Sequence, residues 1–137
     1  MSTRGMFQFR DGGNAEVHSV YSHYDCYPEG AAEQLRKALV FAWKEPRFEA
    51  DEFAAAFVAA NKPAVGGNIR LVPSNEEGAY LRFGALEWRY MVEPGRKGLV
   101  VKVYALPGPA NLVATVDLAT FVKGGWVHAT AQDVQLG

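Results

Sequence analysis

One cysteine, Cys26, is all that the 137 residues contain, so an intramolecular disulfide and a cysteine-built zinc centre are both excluded. Long apolar runs are missing too. Nothing approaches the length needed to span a bilayer, and the opening Met1-Ser2-Thr3-Arg4-Gly5-Met6 lacks the apolar core of a signal peptide. A soluble cytoplasmic protein without membrane contact is the expectation. Charge of one sign is equally absent: fourteen Lys and Arg face fifteen Asp and Glu, a net charge of -1. That balance removes the global pull of a dedicated nucleic-acid or membrane-surface protein, so any basic patch must be local. The glycine pairs Gly12-Gly13 and Gly66-Gly67 lack the flanking Lys-Ser/Thr, or the strand-Gly-x-Gly-helix setting, of a phosphate-binding loop and read as turns. His18 and His128 stand apart from any ligand-like spacing, and no metal ion or cofactor is expected. Cys26 reads as a small residue at a turn, since no second cysteine accompanies it.

What is present is apolar. At 49% apolar and 12% aromatic residues the chain can bury one substantial core and is too short for two, so a single domain over residues 1–137 is expected. Residues 6–10 alternate Phe7 and Phe9 with Gln8 and Arg10, Asp11-Gly12-Gly13-Asn14 are four turn-formers, and residues 15–24 resume with Val17, Val20 and Tyr21. This is a β-hairpin pattern. Helical spacing follows over residues 30–43, where Leu35, Ala38, Leu39, Ala42 and Trp43 mark a core face and Pro28 suits the first turn. A second helix is predicted over residues 51–61, with Phe53, Phe57 and Ala60 on one side and Asn61-Lys62-Pro63 as its stop.

The period then changes to two. Ile69 and Leu71, Leu81 and Phe83, Leu86 to Val92, and Leu99, Val101 and Val103 predict four strands in an antiparallel meander. Residues 112–116 suit a further strand, and residues 117–124 a short helix capped by Asp117 and ended by Gly124. The expected architecture is α+β: an antiparallel sheet of five to seven strands in the order ββααββββ(β)α, with two main helices packed on one face. Trp88 is expected to be largely buried.

Two constellations could carry chemistry. His23, Asp25, Tyr27 and Glu29 occupy alternate positions, and an extended backbone would put them on one side, close to a helix N-terminus that suits an anion or a capping carboxylate. A His beside a carboxylate can serve as a general base. Turn chemistry alone also accounts for the Asp, Pro and Gly, with Asp25 bonding the backbone N–H groups of the helix start. In the second constellation, Leu81, Phe83, Trp88, Val101 and Val103 face the helices. Alternation then places Arg70, Tyr80, Arg82, Arg89, Met91, Lys102 and Tyr104 on the other face, where cations interleaved with tyrosines can hold phosphates and stack bases. A solvated sheet face or a protein interface uses the same residue types.

With these residues in view, the chain resembles a family of small uncharacterised proteins from bacteria and their phages. Its members begin Met-Gly-Thr-Arg-Ser, then carry a strand ending in an aromatic residue or His, Asp-Gly-Tyr-Pro-x-Gly, and a later Glu-aromatic-x-Tyr strand. Thr3-Arg4, Asp25-Cys26-Tyr27-Pro28-Glu29-Gly30 and Leu86-Glu87-Trp88-Arg89-Tyr90-Met91-Val92 carry the resemblance, while Ser2, Gly5 and Cys26 depart from it. The resemblance implies a phage or prophage accessory protein and groups Arg4, His23, Asp25 and Tyr27 as positions to consider together. A side chain at Cys26, where glycine stands in the pattern, is expected to penalise a positive φ in the turn.

The functional expectation is a non-enzymatic cytoplasmic binding protein that binds or inhibits a host protein or takes a small anionic ligand. The alternatives are an enzyme on nucleotides or phosphate esters using His23 and Asp25, and nucleic-acid binding by the basic, aromatic sheet face. Oligomerisation is compatible with each.

Overall fold

The computed structural model describes residues 3–65, 68–72, 82–106, 111–124 and 134–136. The first hairpin forms where the alternation places it: β1 (Gly5–Phe9) and β2 (His18–Ser22) pair antiparallel, with Phe7 opposite Val20. Two helices follow, α1 (Pro28–Phe41) and α2 (Ala50–Val65). α2 continues past its expected stop with Pro63 inside its last turn, at the loss of the one backbone hydrogen bond that a proline cannot donate. Among the described residues there follow β3 (Ile69–Leu71), β4 (Trp88–Pro94), β5 (Leu99–Ala105), β6 (Asn111–Asp117), α3 (Leu118–Phe121) and β7 (Val134–Leu136).

The seven strands make one sheet in the order β3-β2-β1-β4-β5-β6-β7. It is mixed and not purely antiparallel, because β1 runs parallel to β4, with Phe7 beside Tyr90, while every other pairing is antiparallel. The expected four-strand meander is corrected in two ways. β3 pairs with β2 at the sheet edge and does not precede β4 in the sheet. Residues 82 and 83 lie in a helical turn and not in a strand; Leu81, like Tyr80, is outside the described residues. The meander that does form is β4-β5-β6.

The helices α1, α2 and α3 pack on one face. Phe7, Phe9, Val20, Tyr90, Val92, Val101 and Val103 from the sheet share a core with Leu35 of α1, Phe53 and Phe57 of α2, and Phe121 of α3. Phe7 lies 4.5 Å from the Phe57 ring centroid and 5.2 Å from Tyr90. Each such buried ring contributes roughly 1.5–3 kcal/mol over its exposed state, so this aromatic column is the main fastening between sheet and helices. Trp88 packs at the margin of this core and is half-buried instead of enclosed. Phe83, expected on the helix side, stacks instead on Tyr21 at 4.1 Å on the opposite face, next to Met6 and Leu86. Among the described residues no helix is long and apolar enough to cross a membrane.

Candidate functional site

The chain leaves β2 at Ser22 and must reverse into α1 within five residues. Asp25 makes the reversal with φ 56°, the left-handed region that short polar side chains tolerate better than others. Cys26 is not in that region, so the strain expected at position 26 falls one residue earlier, on a residue type that accepts it. Tyr27 is the N-cap of α1, Pro28 opens the helix, and no side chain caps it. The expectation that Asp25 bonds the helix start is therefore corrected: its left-handed backbone, two residues before the N-cap, ends the local capping geometry.

Buried side chains from other elements hold this turn. Gln34 of α1 donates to the carbonyls of Tyr24 (3.2 Å) and Asp25 (3.1 Å), and its oxygen accepts from the Ser22 hydroxyl at 2.7 Å. Tyr90 of β4 donates to the Cys26 carbonyl at 2.5 Å, and the Cys26 amide donates to Thr3 at 3.1 Å. Asn61 of α2 donates in turn to the Gln34 carbonyl. None of Gln34, Asn61 or Tyr90 stood out as a site residue in the sequence, although each is a polar group at a core-facing position and so requires a partner. Burial pushes the Cys26 thiol up to about 12, which keeps it protonated at neutral pH and removes it as a nucleophile.

The four residues grouped by the resemblance separate into two pairs. Asp25 and Tyr27 line an open cleft of about 250 Å³ with Tyr24, Glu29, Glu33 and Lys37. Three carboxylates against one ammonium make this cleft a poor host for an anion. Arg4 and His23 lie elsewhere: Arg4 reaches the Phe83 carbonyl at 3.5 Å, and His23 Nδ1 meets the Tyr21 hydroxyl while its ring stands edge-on to Tyr24. Among the described residues no hydrogen bond or ion pair joins His23 to Asp25, and no group of three His, Cys, Asp or Glu could hold a metal ion.

The cations of the sheet also separate. By register, Arg70, Tyr21, Arg89 and Tyr104 share the face away from the helices, as do Met91 and Lys102. Arg89 is committed to the sheet itself: it donates to Gln8 Oε1 at 2.8 Å and lies 3.8 Å over the Tyr104 ring. Lys102 and Arg10 clamp Glu93, at 2.9 and 2.8 Å, and Glu93 is only 5% exposed. Arg82 sits on the turn beside Phe83, and Arg70 on the edge strand.

Glu93 is the one member of this network whose titration has a clear sign. Burial is the largest influence and raises its pKa, but the hydrogen bonds and charges of Lys102 and Arg10 outweigh it, and the carboxyl ends below its ordinary range. A depressed carboxyl contributes stability above the unfolded value of about 4.3, and that stability is lost as pH falls through the folded value. The urea midpoint should therefore drop between about pH 5 and pH 3, and Glu93→Gln should flatten the drop. An equally steep acid limb in Glu93→Gln would assign it to other carboxylates.

Compared with protein-family profiles, curated proteins and solved structures, the chain finds no match.

Proposed function

We propose that the chain is a non-enzymatic binding protein that docks a partner protein through the end of α1. The observation that carries this reading is a run of large apolar side chains left in solvent: Val40 is 72% exposed, Phe41 61% and Trp43 37%. A well-packed chain leaves single apolar residues outside at little cost, but a contiguous group marks an interaction surface. Arg47 stacks 3.6 Å over the Trp43 ring, and the Trp43 amide donates to Glu52 at 3.1 Å, so the aromatic anchor is already held. Pre-ordered Trp and Arg are the residue types that dominate binding energy at interfaces. Exposed charges of both signs, Lys44 and Arg47 with Glu45 and Glu49, follow the patch in the chain, so the apolar anchors and not a net charge select the partner, which must offer an apolar pocket.

The cytoplasmic and phage or prophage setting belongs to the same proposal and is supported by the sequence features alone. An enzyme built on His23 and Asp25 has less support, since no contact couples the two. The test begins with identification of the partner by pull-down from bacterial lysate. Affinity is then compared for the parent and for Phe41→Ser. Truncating a hot-spot aromatic costs about 2 kcal/mol or more, about thirtyfold in Kd, while the melting temperature should hold because the residue is exposed. Equal affinity in parent and variant would remove the end of α1 as the docking surface.

A further inference from the structure

The loop that carries Trp43 runs on into the wall of another surface. Between this loop and the turn that joins β4 to β5 lies an open cavity of about 520 Å³, with Glu45, Pro46 and Phe48 on the loop side and Pro94, Lys97 and Leu99 on the turn side. It shares no lining residue with the acidic cleft, and its volume falls within the range of small-molecule pockets. The two sides are fastened together. Glu45 Oε2 accepts from the Leu99 amide at 3.3 Å, which ties the loop to the turn, and the Gly95 amide donates to the Gly98 carbonyl at 2.7 Å, which closes the turn. Leu99 is buried, and Phe48 packs against the core with its ring 5.8 Å from that of Phe53. A cavity whose walls are already ordered spares a ligand the cost of ordering them.

We infer that this cavity binds a free amino acid with an apolar ring side chain. Glu45 and Lys97 bring opposite charges to one depression, and among the described residues no ion pair joins them to each other. Each can therefore meet a complementary group of a ligand, and an amino acid carries both groups in one small molecule. Its ammonium has the second Glu45 oxygen, the one that Leu99 does not use. Its carboxylate has the Lys97 ammonium, which donates up to three hydrogen bonds and accepts none. Such charge-assisted hydrogen bonds are stronger than neutral ones. The side chains of Pro46, Phe48, Pro94 and Leu99 are apolar, and a ring packed on Phe48 gains more than its buried area alone supplies. A ligand of single charge would engage one end of the cavity and leave the other to water, and one without a ring would leave the apolar wall uncovered.

The experiment is a titration of the full chain, followed by amide NMR, with L-phenylalanine and three analogues as probes. L-phenylalanine should shift the amides of Phe48, Gly95, Gly98 and Leu99 saturably. Phenethylamine, which lacks the carboxylate, and 3-phenylpropionate, which lacks the ammonium, should each bind roughly fivefold more weakly, the loss of one hydrogen bond in an open site. Glycine, which lacks the ring, should give no saturable shift. Glu45→Gln and Lys97→Gln should each weaken L-phenylalanine by a similar factor, while Lys123→Gln, exposed and outside the cavity, should leave it unchanged. Glutamine at position 45 retains an oxygen for the Leu99 amide, and Lys97 is exposed, so weaker binding with an otherwise unchanged spectrum reports the charge and not the fold. The absence of saturable shifts at about 10 mM L-phenylalanine, tenfold above a millimolar Kd, would overturn the proposal, and so would equal weakening by Lys123→Gln. Phenethylamine or 3-phenylpropionate binding as tightly as L-phenylalanine would overturn the amino-acid assignment in favour of a ligand of single charge. Glycine binding as tightly would overturn the role of the apolar wall.

Discussion

Gly30→Ala is expected to destabilise the protein by about 3 kcal/mol, at the upper end of the usual cost of overpacking. Helix propensity works the other way, because alanine in a helix is favoured over glycine by roughly 1 kcal/mol, so the steric term must exceed that gain before any loss appears. It does. A Cβ at position 30 would collide with the Asp25 carbonyl oxygen and stand 2.8 Å from its carbon and 3.0 Å from Asp25 Cβ. That carbonyl cannot retreat cheaply, since Gln34 holds it at 3.1 Å and Asp25 already occupies the left-handed region. With total stability on the order of 5–15 kcal/mol for a domain, the melting temperature should fall by roughly 10 °C. A variant melting within a degree of the parent would show that the turn gives way freely and that its network of buried hydrogen bonds is not what fixes it.

That same turn shows how far the sequence could be read. Its endpoints were legible: Pro28 as the opening of a helix, and an apolar strand before it. The positions of His23, Asp25 and Tyr27 were not, because their shared side rested on an extended backbone, and the left-handed φ at Asp25 ends the alternation in the middle of the run. His23 then pairs with Tyr21, while Asp25 and Tyr27 turn into the cleft. Trp43 failed for a related reason. Helical spacing from Leu35 assigns it to the core, but α1 ends at Phe41, and a period is meaningless past the last helical residue. The parallel pairing of β1 was not legible: Gln8 and Arg10 alternate with Phe7 and Phe9 as in a hairpin strand, whereas all five residues of Gly5–Phe9 are buried in the structure, as a central strand requires. The alternation at residues 81–83 was too short to distinguish a strand from a turn. Glu93, by contrast, follows the strand pattern that ends at Val92 and reads as the start of a turn; β4 runs on to Pro94, and only the register brings Glu93 to Arg10 and Lys102.

The second large effect joins two residues that the sequence presents far apart. Gly5 opens β1 and Cys26 sits in the turn, and a Cβ at position 5 would stand 2.6 Å from Cys26 Cβ and 3.1 Å from its sulfur, with the Trp88 carbonyl at 3.2 Å. Only one of the two positions can carry a side chain without movement. Gly5→Ser alone should cost about 2–3 kcal/mol through overpacking against the strand and turn. Cys26→Gly alone should cost about 1–2 kcal/mol, from the lost packing of a fully buried side chain and the greater backbone freedom of glycine when unfolded. The double variant should be more stable than Gly5→Ser, with a coupling of about 1–3 kcal/mol between neighbours that share one space, less whatever the Trp88 carbonyl still opposes. Four urea denaturation curves close this cycle. Costs that simply add, within about 0.5 kcal/mol, would mean that the strand and the turn shift apart to admit both side chains, and that the two positions vary independently.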